Sequence, residues 1–359
     1  MSEFQVYKFR SIDRLLTRTE QDEISSWSSR TRATANGATF TYAYGDFRKN
    51  EEKVFREYFD LFLYFANWGT RRLMLKFPRD LVDFKSMQAY DINADHAYTT
   101  HLEVSKTANY VIVEFYWAEE EGGDWVEEED FEVSDFIPIR EAILNGDYSA
   151  LYLFWLKLAE SKADWDEDDY DEDDYVDHVD YHPEDYEGNP DDDLSPRSKI
   201  PPIPPKLRYV GASMQAFLDF LEIDKDLVAA AKTASKEVAK EEAKRDYKAL
   251  LQQLTEEEKD EYLWQLLQGE LRLEIKLKKH LDALAPTASQ EVASLSLVEL
   301  KQQKVKAQSD REAAEQKAAE RAHVKKMKEL ASEKDALWKS VFKNIGMKQG
   351  YTYDRAVAT

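Results

Sequence analysis

The chain has 359 residues, no cysteine and a formal net charge of −23. The absence of cysteine excludes disulfides, thiolate metal sites, iron–sulfur clusters and cysteine nucleophiles. Between residues 163 and 194 there are 17 acidic residues and no Lys or Arg. Phosphate contacts need clustered basic residues, so in a chain with this acidic balance direct nucleic-acid binding is disfavoured.

The first predicted elements are a strand, a helix and a second strand. The segment "FQVYKFR" alternates in the way that is typical of a short strand. Thr17 and Glu20 have capping-box spacing and predict a helix that turns Ile24 and Trp27 inward. The segment "ATFTYAYGDF", rich in aromatic residues and threonine, predicts the second strand.

The next segments complete a predicted α+β domain. "NEEKVFREYFDLFLYFANWG" predicts one helix, because its apolar residues recur at three- and four-residue steps from Val54 to Phe65, with Gly69 as its stop. "RRLMLKFP" predicts a strand and "YTTHLEVSKTANYVIVEFYWA" a hairpin, followed by two short helices around an Asn-Gly-Asp turn. We therefore expect residues 1–162 to form an α+β domain, a mixed sheet with helices on one face.

The remaining chain is predicted to contain a linker and then only helices. Residues 163–206 predict a disordered linker that is acidic first and proline-rich afterwards, where "SPRSKIPPIPPK" favours an extended polyproline spacer. Residues 207–287 predict a small helical bundle. Residues 288–345, dominated by Ala, Lys, Glu, Gln and Arg, predict an all-α region ending in a long charged helix or coiled-coil arm. Residues 346–359 are expected to be a tail.

The predicted arm has a candidate seam for self-association. Met327, Leu330, Leu337 and Val341 fit a heptad pattern, which Lys334 interrupts. A helix with such a seam is either exposed to solvent or one half of a coiled coil. Self-association through residues 288–345 is therefore one expected interaction of this chain.

Several segments carry a family resemblance: "SIDRLLTRTEQDEISSWSSR", "YGDF", "YFDLFLYFANWGTRRLMLKFP", "EEGGDW" and "ALWKSVFKNIGMKQGYTYDRAV". In these segments the chain resembles a family of hypothetical bacterial proteins that have a folded first half, an acidic and proline-containing joint and a charged helical second half. The resemblance implies a bacterial, cytoplasmic protein and implies no particular chemistry. The absence of a signal-like start and of a long apolar run agrees with a cytoplasmic protein that does not bind membranes.

The acidic run "DWDEDDYDEDDYVDHVDYHPEDY" has two interpretations. An EF-hand loop that began at Asp164 would have Asp169 where glycine is required and Tyr175 where glutamate is required. His178 and His182 could share a metal on a helix, but a proline follows His182 directly. We therefore predict no metal site and no cofactor. The interleaved tyrosines allow a mimic of nucleic acid that regulates a basic protein, whereas mutual repulsion of the carboxylates favours a solvated connector.

The best candidate for ligand binding is the corner at residues 67–72. Polar and cationic groups stand there between a predicted helix and a predicted strand, a place where α/β proteins often bind ligands. A structural role for the same tryptophan, glycine and arginines is the simpler alternative. The residues of the candidate anion-binding cleft are Arg14, Arg30, Asp46, Asn67, Trp68, Arg71 and Arg72.

Motifs of catalysis are missing from the sequence. It has no G-x-S-x-G elbow, no P-loop and no G-x-G-x-x-G, and His96 and His101 have no metalloprotease frame. No catalytic residue is predicted. The sequence favours a non-enzymatic interaction or adaptor protein that binds protein partners through the α+β domain and the helical arm. A nucleic-acid-mimicking regulator and an enzyme or anion binder at residues 67–72 are the alternatives.

Overall fold

The computed structural model describes residues 3–29, 31–93, 100–118, 126–168, 200–204, 207, 211–238, 246–284 and 297–346. The strands are β1 (Gln5–Arg10), β2 (Gly37–Tyr42), β3 (Leu61–Ala66), β4 (Arg71–Pro78), β5 (Ile92–Asn93), β6 (His101–Lys106) and β7 (Tyr110–Trp117). The helices are α1 (Arg18–Ser26), α2 (Glu51–Tyr58), α3 (Phe84–Gln88), α4 (Val133–Leu144), α5 (Ser149–Asp168), α6 (Ala212–Phe220), α7 (Lys225–Val238), α8 (Tyr247–Leu251), α9 (Glu256–Leu267), α10 (Leu273–Leu284) and α11 (Leu297–Gly346).

The seven strands form one sheet in the order β2-β1-β3-β4-β7-β6-β5, and every described pairing is antiparallel. The expected α+β class is confirmed, but the mixed sheet is corrected to an antiparallel one. The error begins in the segment predicted as one helix, which is helix α2 followed by strand β3. Strands β3 and β4 are then joined by a tight turn at residues 67–70, and so short a turn joins only antiparallel strands.

Helices cover both faces of the sheet, whereas the sequence predicted helices on one face. One face packs Leu63, Leu75 and Val113 against α4, α5, α6 and α7. The other packs Phe9 and Phe62 against α1 and α2. The physical reason is that the central strands are apolar at nearly every position, as in "LFLYFA" of β3, so each face needs its own cover.

Residues 200–204 belong to this fold and correct the predicted polyproline spacer. Ile203 is buried in the core that α4–α7 share with the sheet. The Tyr90 hydroxyl donates to the Pro202 carbonyl at 2.8 Å, and the Ser235 hydroxyl donates to the Pro204 carbonyl at 2.8 Å. Prolines leave their carbonyls free as acceptors, and here two side-chain donors use them. Residues 163–168, predicted as the start of the linker, are instead the end of helix α5. The rest of the predicted linker, residues 169–199 and 205–206, lies outside the described residues.

The chain divides into two compact units, Met1–Lys301 and Gln302–Thr359. The first unit extends past the expected boundary at residue 207, because α6 and α7 bury Phe217 and Leu227 in the same core as the sheet. Helices α8, α9 and α10 meet in a small cluster around Leu250, Leu254 and Leu281, which is the bundle-like part of the prediction. The expected tail lies almost wholly outside the described residues.

The second unit, as far as it is described, is residues 302–346 of helix α11. The helix as a whole has 50 residues and confirms the expected long helix. Its outward residues are overwhelmingly charged or small, in agreement with the composition of the sequence. Among the helices in the described part of the chain, none combines the length and apolar content that crossing a membrane requires.

Candidate functional site

The predicted corner at residues 67–72 is the turn of the β3–β4 hairpin. The turn is closed by the Ala66 amide, which donates to the Thr70 carbonyl at 3.0 Å, and Gly69 has a φ of 91° that favours glycine. Asn67 is tied to the start of β1, because its side-chain oxygen accepts from the Phe4 amide at 3.0 Å. Residue Trp68 stands partly exposed at the tip. The local sequence therefore builds a hairpin end.

Arg71 and Arg72 point to opposite faces of the sheet, since they are consecutive on a strand. Arg71 is buried, donates to the Ala66 carbonyl at 3.2 Å and pairs with Glu222 of the α6–α7 connection at 3.3 Å. Its guanidinium lies 5.6 Å from the ring centre of Phe131. Arg71 thus holds an internal contact between the sheet and the helices of one face.

The other predicted cleft residues are spread over the fold. Arg14 forms a two-point ion pair with Glu20 near the start of α1, and this hydrogen bond lowers the pKa of Glu20 to about 2. Asp46 accepts a hydrogen bond from the Gln5 side chain at 3.0 Å. Arg30 lies outside the described residues. The side-chain partners shown for Arg14, Asp46, Arg71 and Arg72 lie outside this set, so the structure does not assemble one anion cleft.

A charged cluster surrounds Arg72 on the face that α1 and α2 cover in part. Its guanidinium contacts Glu51 of α2 and donates to Glu114 of β7 at 2.6 Å. It also lies between two aromatic rings, 5.9 Å from the centre of Phe62 and 5.7 Å from that of Tyr116. Two carboxylates and two ring faces therefore hold this cation, which leaves it poorly placed to bind an external anion.

His101 and Glu103 of strand β6 extend this cluster. Strand register places Glu103 directly opposite Glu114 and His101 opposite Tyr116, whose ring stacks on the imidazole at 5.4 Å between ring centres. The His101 Nε2 atom lies 3.7 Å from Glu114. Single donor atoms of His101, Glu103 and Glu114 all lie within 4.8 Å of one another, and one imidazole with two carboxylates is a donor set that zinc or manganese accepts.

His101 and Arg72 together offset the burial of the carboxylates in this cluster. Burial raises the pKa of Glu114, but the hydrogen bonds from His101 and Arg72 outweigh it and hold that pKa below its usual value. Burial raises the pKa of Glu51, against the Arg72 charge, and burial together with Glu114 raises the pKa of Glu103. The same Arg72 charge that keeps Glu114 ionised also opposes a cation at this place.

Sequence reasoning missed this cluster for a simple reason. It compared His101 with His96 along the chain, whereas the partners of His101 stand on the neighbouring strand, at Glu114 and Tyr116. If the residues of the predicted hairpin had been paired one by one in the observed register, Glu103 would have been placed opposite Glu114. His96 itself lies outside the described residues.

The second unusual surface is helix α9, which buries none of its residues. The large apolar side chains that it and the following turn leave 58–78% exposed are Leu263, Trp264, Leu266, Leu267 and Leu271. Only Tyr262 turns inward, toward the cluster that α8 and α10 form. Single exposed leucines are ordinary, but five large apolar side chains on neighbouring positions form a patch of the kind that interaction sites have.

The first turns of α9 are acidic. Thr255 and Glu258 form a capping box, which places Glu256 and Glu257 in the first turn, where the helix dipole favours carboxylates. Asp260 precedes Leu263 by three residues and Trp264 by four, so it shares their face of the helix. The outward face of α9 is therefore acidic at its start and apolar at its end.

Helix α11 also exposes apolar side chains, in its second half. Val324, Met327, Trp338, Phe342 and Ile345 are exposed and follow one another at steps that keep them on one stripe. The Leu330 and Leu337 positions of the expected seam belong to the helix, but their side chains lie outside the described part of the structure.

The chain matches no protein-family model, no curated protein and no solved structure.

Proposed function

We propose that this chain is a cytoplasmic interaction protein, without catalytic activity, that binds protein partners through exposed apolar helices attached to a rigid α+β body. The observation that carries the proposal is the surface of α9, where five large apolar side chains stand in solvent at the end of an otherwise well-packed unit. The family resemblance to bacterial proteins stays a prediction beside this proposal.

The contrast between α9 and the other helices of the first unit supports this function. Helices α2, α4 and α6 each turn large apolar residues into the core, including Phe55, Phe136 and Phe217. Full burial of one leucine or phenylalanine is worth about 1.5–3 kcal/mol, so five exposed large side chains represent a substantial free energy that binding a partner would recover. An apolar surface of this size is costly for an isolated protein, and an interaction partner accounts for it.

Helix α11 supplies the second surface. Among its described side chains, an exposed apolar stripe runs from Val324 to Ile345, and such a stripe suits packing against another helix. An adaptor with two such surfaces holds one partner near another and raises their effective concentration.

The two alternative functions have weaker support. An anion-binding or catalytic role at residues 67–72 is opposed by the internal pairing of Arg71 with Glu222 and of Arg72 with Glu51 and Glu114. The nucleic-acid mimic depends on the acidic run, most of which lies outside the described residues, and it stays a prediction that deletion of residues 163–194 tests.

The proposal is tested by site-specific photo-crosslinking of the full chain in its native host. A photoreactive amino acid replaces Trp264 in one version and Gln253, which is exposed just before α9, in the control. We expect a discrete crosslinked product from position 264 and none from position 253. The partner identified by crosslinking is then purified without the crosslink and titrated by calorimetry against the wild-type chain and against Leu267→Glu. We expect saturable binding to the wild type and at least tenfold weaker binding to the variant. A further version carries the photoreactive amino acid in place of Phe342 of α11. If neither position 264 nor position 342 gives a specific crosslinked product, an interaction role for these helices is refuted.

A further inference from the structure

The outward face of α9 has a definite chemical character. The helix holds five acidic residues and one basic residue. Among the described residues, Glu257 and Asp260 have no ion-pair partner within 4 Å. The exposed leucines occupy the last two turns on the same side. A binding partner for this face needs an apolar stripe that is bordered by positive charge.

The second half of α11 has the opposite charge and a matching apolar stripe. From Arg321 to Lys343 it contains seven basic and three acidic residues. Lys328 lies one turn after Val324 and Lys339 lies one turn before Phe342, so these lysines border the exposed stripe. Both lysines are exposed and have no ion-pair partner in the described part of the chain.

We propose that the acidic and apolar face of α9 is the docking site for the second half of α11 from a second copy of this chain. The inference rests on the proposed interaction function and names its partner. Charge decides between the possible helix pairs: two α9 faces would oppose carboxylates to carboxylates, and two α11 stripes would oppose lysines to lysines. An α9–α11 pair instead brings the two signs together, and opposite potentials both steer association and fix register.

The dimensions of the two helices fit this pairing. Twelve residues of α9 span about 18 Å, and the stripe from Val324 to Ile345 spans about 32 Å at 1.5 Å per residue. The longer stripe therefore covers the whole exposed face of α9 and the adjoining Leu271. Each copy carries one α9 and one α11, so a dimer that formed the contact twice would be closed by a two-fold axis and would have double the interface area of one helix pair.

The first experiment measures the mass of the full chain by light scattering and sedimentation equilibrium. We expect a dimer for the wild type. Leu267→Glu on α9 and Phe342→Glu on α11 each place a charge inside the apolar contact, and we expect each to raise the dimer dissociation constant by at least 30-fold. The exposed positions Gln253 and Gln316 provide the matched controls, because Gln253→Glu and Gln316→Glu add the same charge outside both faces. Circular dichroism checks that every variant keeps the helical content of the wild type.

The second experiment mixes the two defective chains. Leu267→Glu chains keep an intact α11 and Phe342→Glu chains keep an intact α9, so an equimolar mixture restores one of the two contacts. We expect each variant to be monomeric alone and the mixture to form a mixed dimer, detected by a fluorescent label on one chain. A third variant, Asp260→Lys, reverses one charge on α9 and should weaken the dimer, whereas it would strengthen a pair of two α9 helices.

Each alternative gives a result that overturns the inference. A Leu267→Glu chain that still dimerises points to a coiled coil of two α11 helices, and a Phe342→Glu chain that still dimerises points to paired α9 helices. A monomeric wild type with no mixed dimer excludes a second copy as the occupant. In that case, saturable binding of a different protein at α9 would preserve the proposed function, while the absence of any crosslinked partner would remove both.

Discussion

Arg140 is the largest fully buried side chain in the fold, and its replacement makes the most direct test of how the first unit is held together. Its guanidinium lies over the ring of Phe77, donates from Nε to the Lys76 carbonyl at 2.8 Å, and forms a two-point pair with Asp13 that includes a 3.0 Å contact from one terminal nitrogen. Arg140 thus ties helix α4 to strand β4 and to the segment after β1.

We expect Arg140→Met to lower the free energy of unfolding by about 3 kcal/mol. Removal of one partner from a buried ion pair costs about 3–5 kcal/mol, because the remaining charge has lost its counter-ion. The side chain of Asp13 is 22% exposed and keeps a longer contact with Arg272 at 3.6 Å, so water and Arg272 compensate part of the loss, which favours the lower end of that range. The apolar stem of methionine preserves most of the packing.

The assay is urea unfolding followed by circular dichroism and tryptophan fluorescence. The control is Arg56→Met, which removes an exposed ion pair with Glu52 in α2 and should change stability by no more than about 0.5 kcal/mol. The double variant Arg140→Met with Asp13→Asn should recover part of the loss, because it removes the uncompensated carboxylate. An Arg140→Met protein within about 1 kcal/mol of the wild type would show that this network is not a principal stabiliser.

Two further predictions concern packing and pH. Gly37→Ala should lower the free energy of unfolding by up to about 3 kcal/mol, because the added Cβ would stand 2.2 Å from the backbone carbonyl oxygen of Phe9. The control Gly211→Ala places its Cβ in open space and should change the free energy of unfolding by less than about 1 kcal/mol. The midpoints of urea unfolding compare the two variants. Burial raises the pKa of Tyr148 from 10.0 to about 12. Because the folded-state pKa is the higher one, the contribution of this phenol is complete below pH 10 and is lost as the pH rises toward 12. Tyr148→Phe should therefore flatten the fall of the urea midpoint between pH 10 and pH 11.5, and an unchanged slope would contradict this assignment.

The sequence predicted most elements of the first unit but misjudged the segment after α2. The start of the helix agrees with the predicted segment, and in the structure the Asn50 side chain caps it by accepting from the Lys53 amide. The end of the helix does not agree with it, since "YFDLFLYFA" is apolar at almost every position and suits a buried strand as well as a helix. The structure ends α2 before Asp60, whose buried carboxylate accepts the Ile12 and Asp13 amides at 2.7 and 2.9 Å.

In the candidate sites, too, features set by neighbours in the sequence could be predicted, whereas features set by strand pairing could not. Capping boxes at Thr17 and Thr255 follow from neighbours three residues apart, and both are present in the structure. The cluster at Arg72, Glu114 and His101 depends on which strands pair and in which register, so no local pattern reveals it. The residues of the predicted anion cleft were chosen from a sheet order that placed a helix where β3 stands.

The pattern of charge pairing differs between the folded core of the molecule and the helices that we propose bind partners. Arg71 and Arg72 of strand β4 and Arg140 of helix α4 are buried or largely buried, and each is paired with carboxylates of other elements, so their charges are satisfied within the fold. On the outward face of α9 and along the stripe of α11, carboxylates and lysines stand exposed beside apolar side chains. Charge beside exposed apolar surface gives little to the stability of a monomer, but it sets the rate and the specificity of association. Recognition is therefore expected at the helices, and a substitution in the sheet cluster should alter binding only through the stability of the fold.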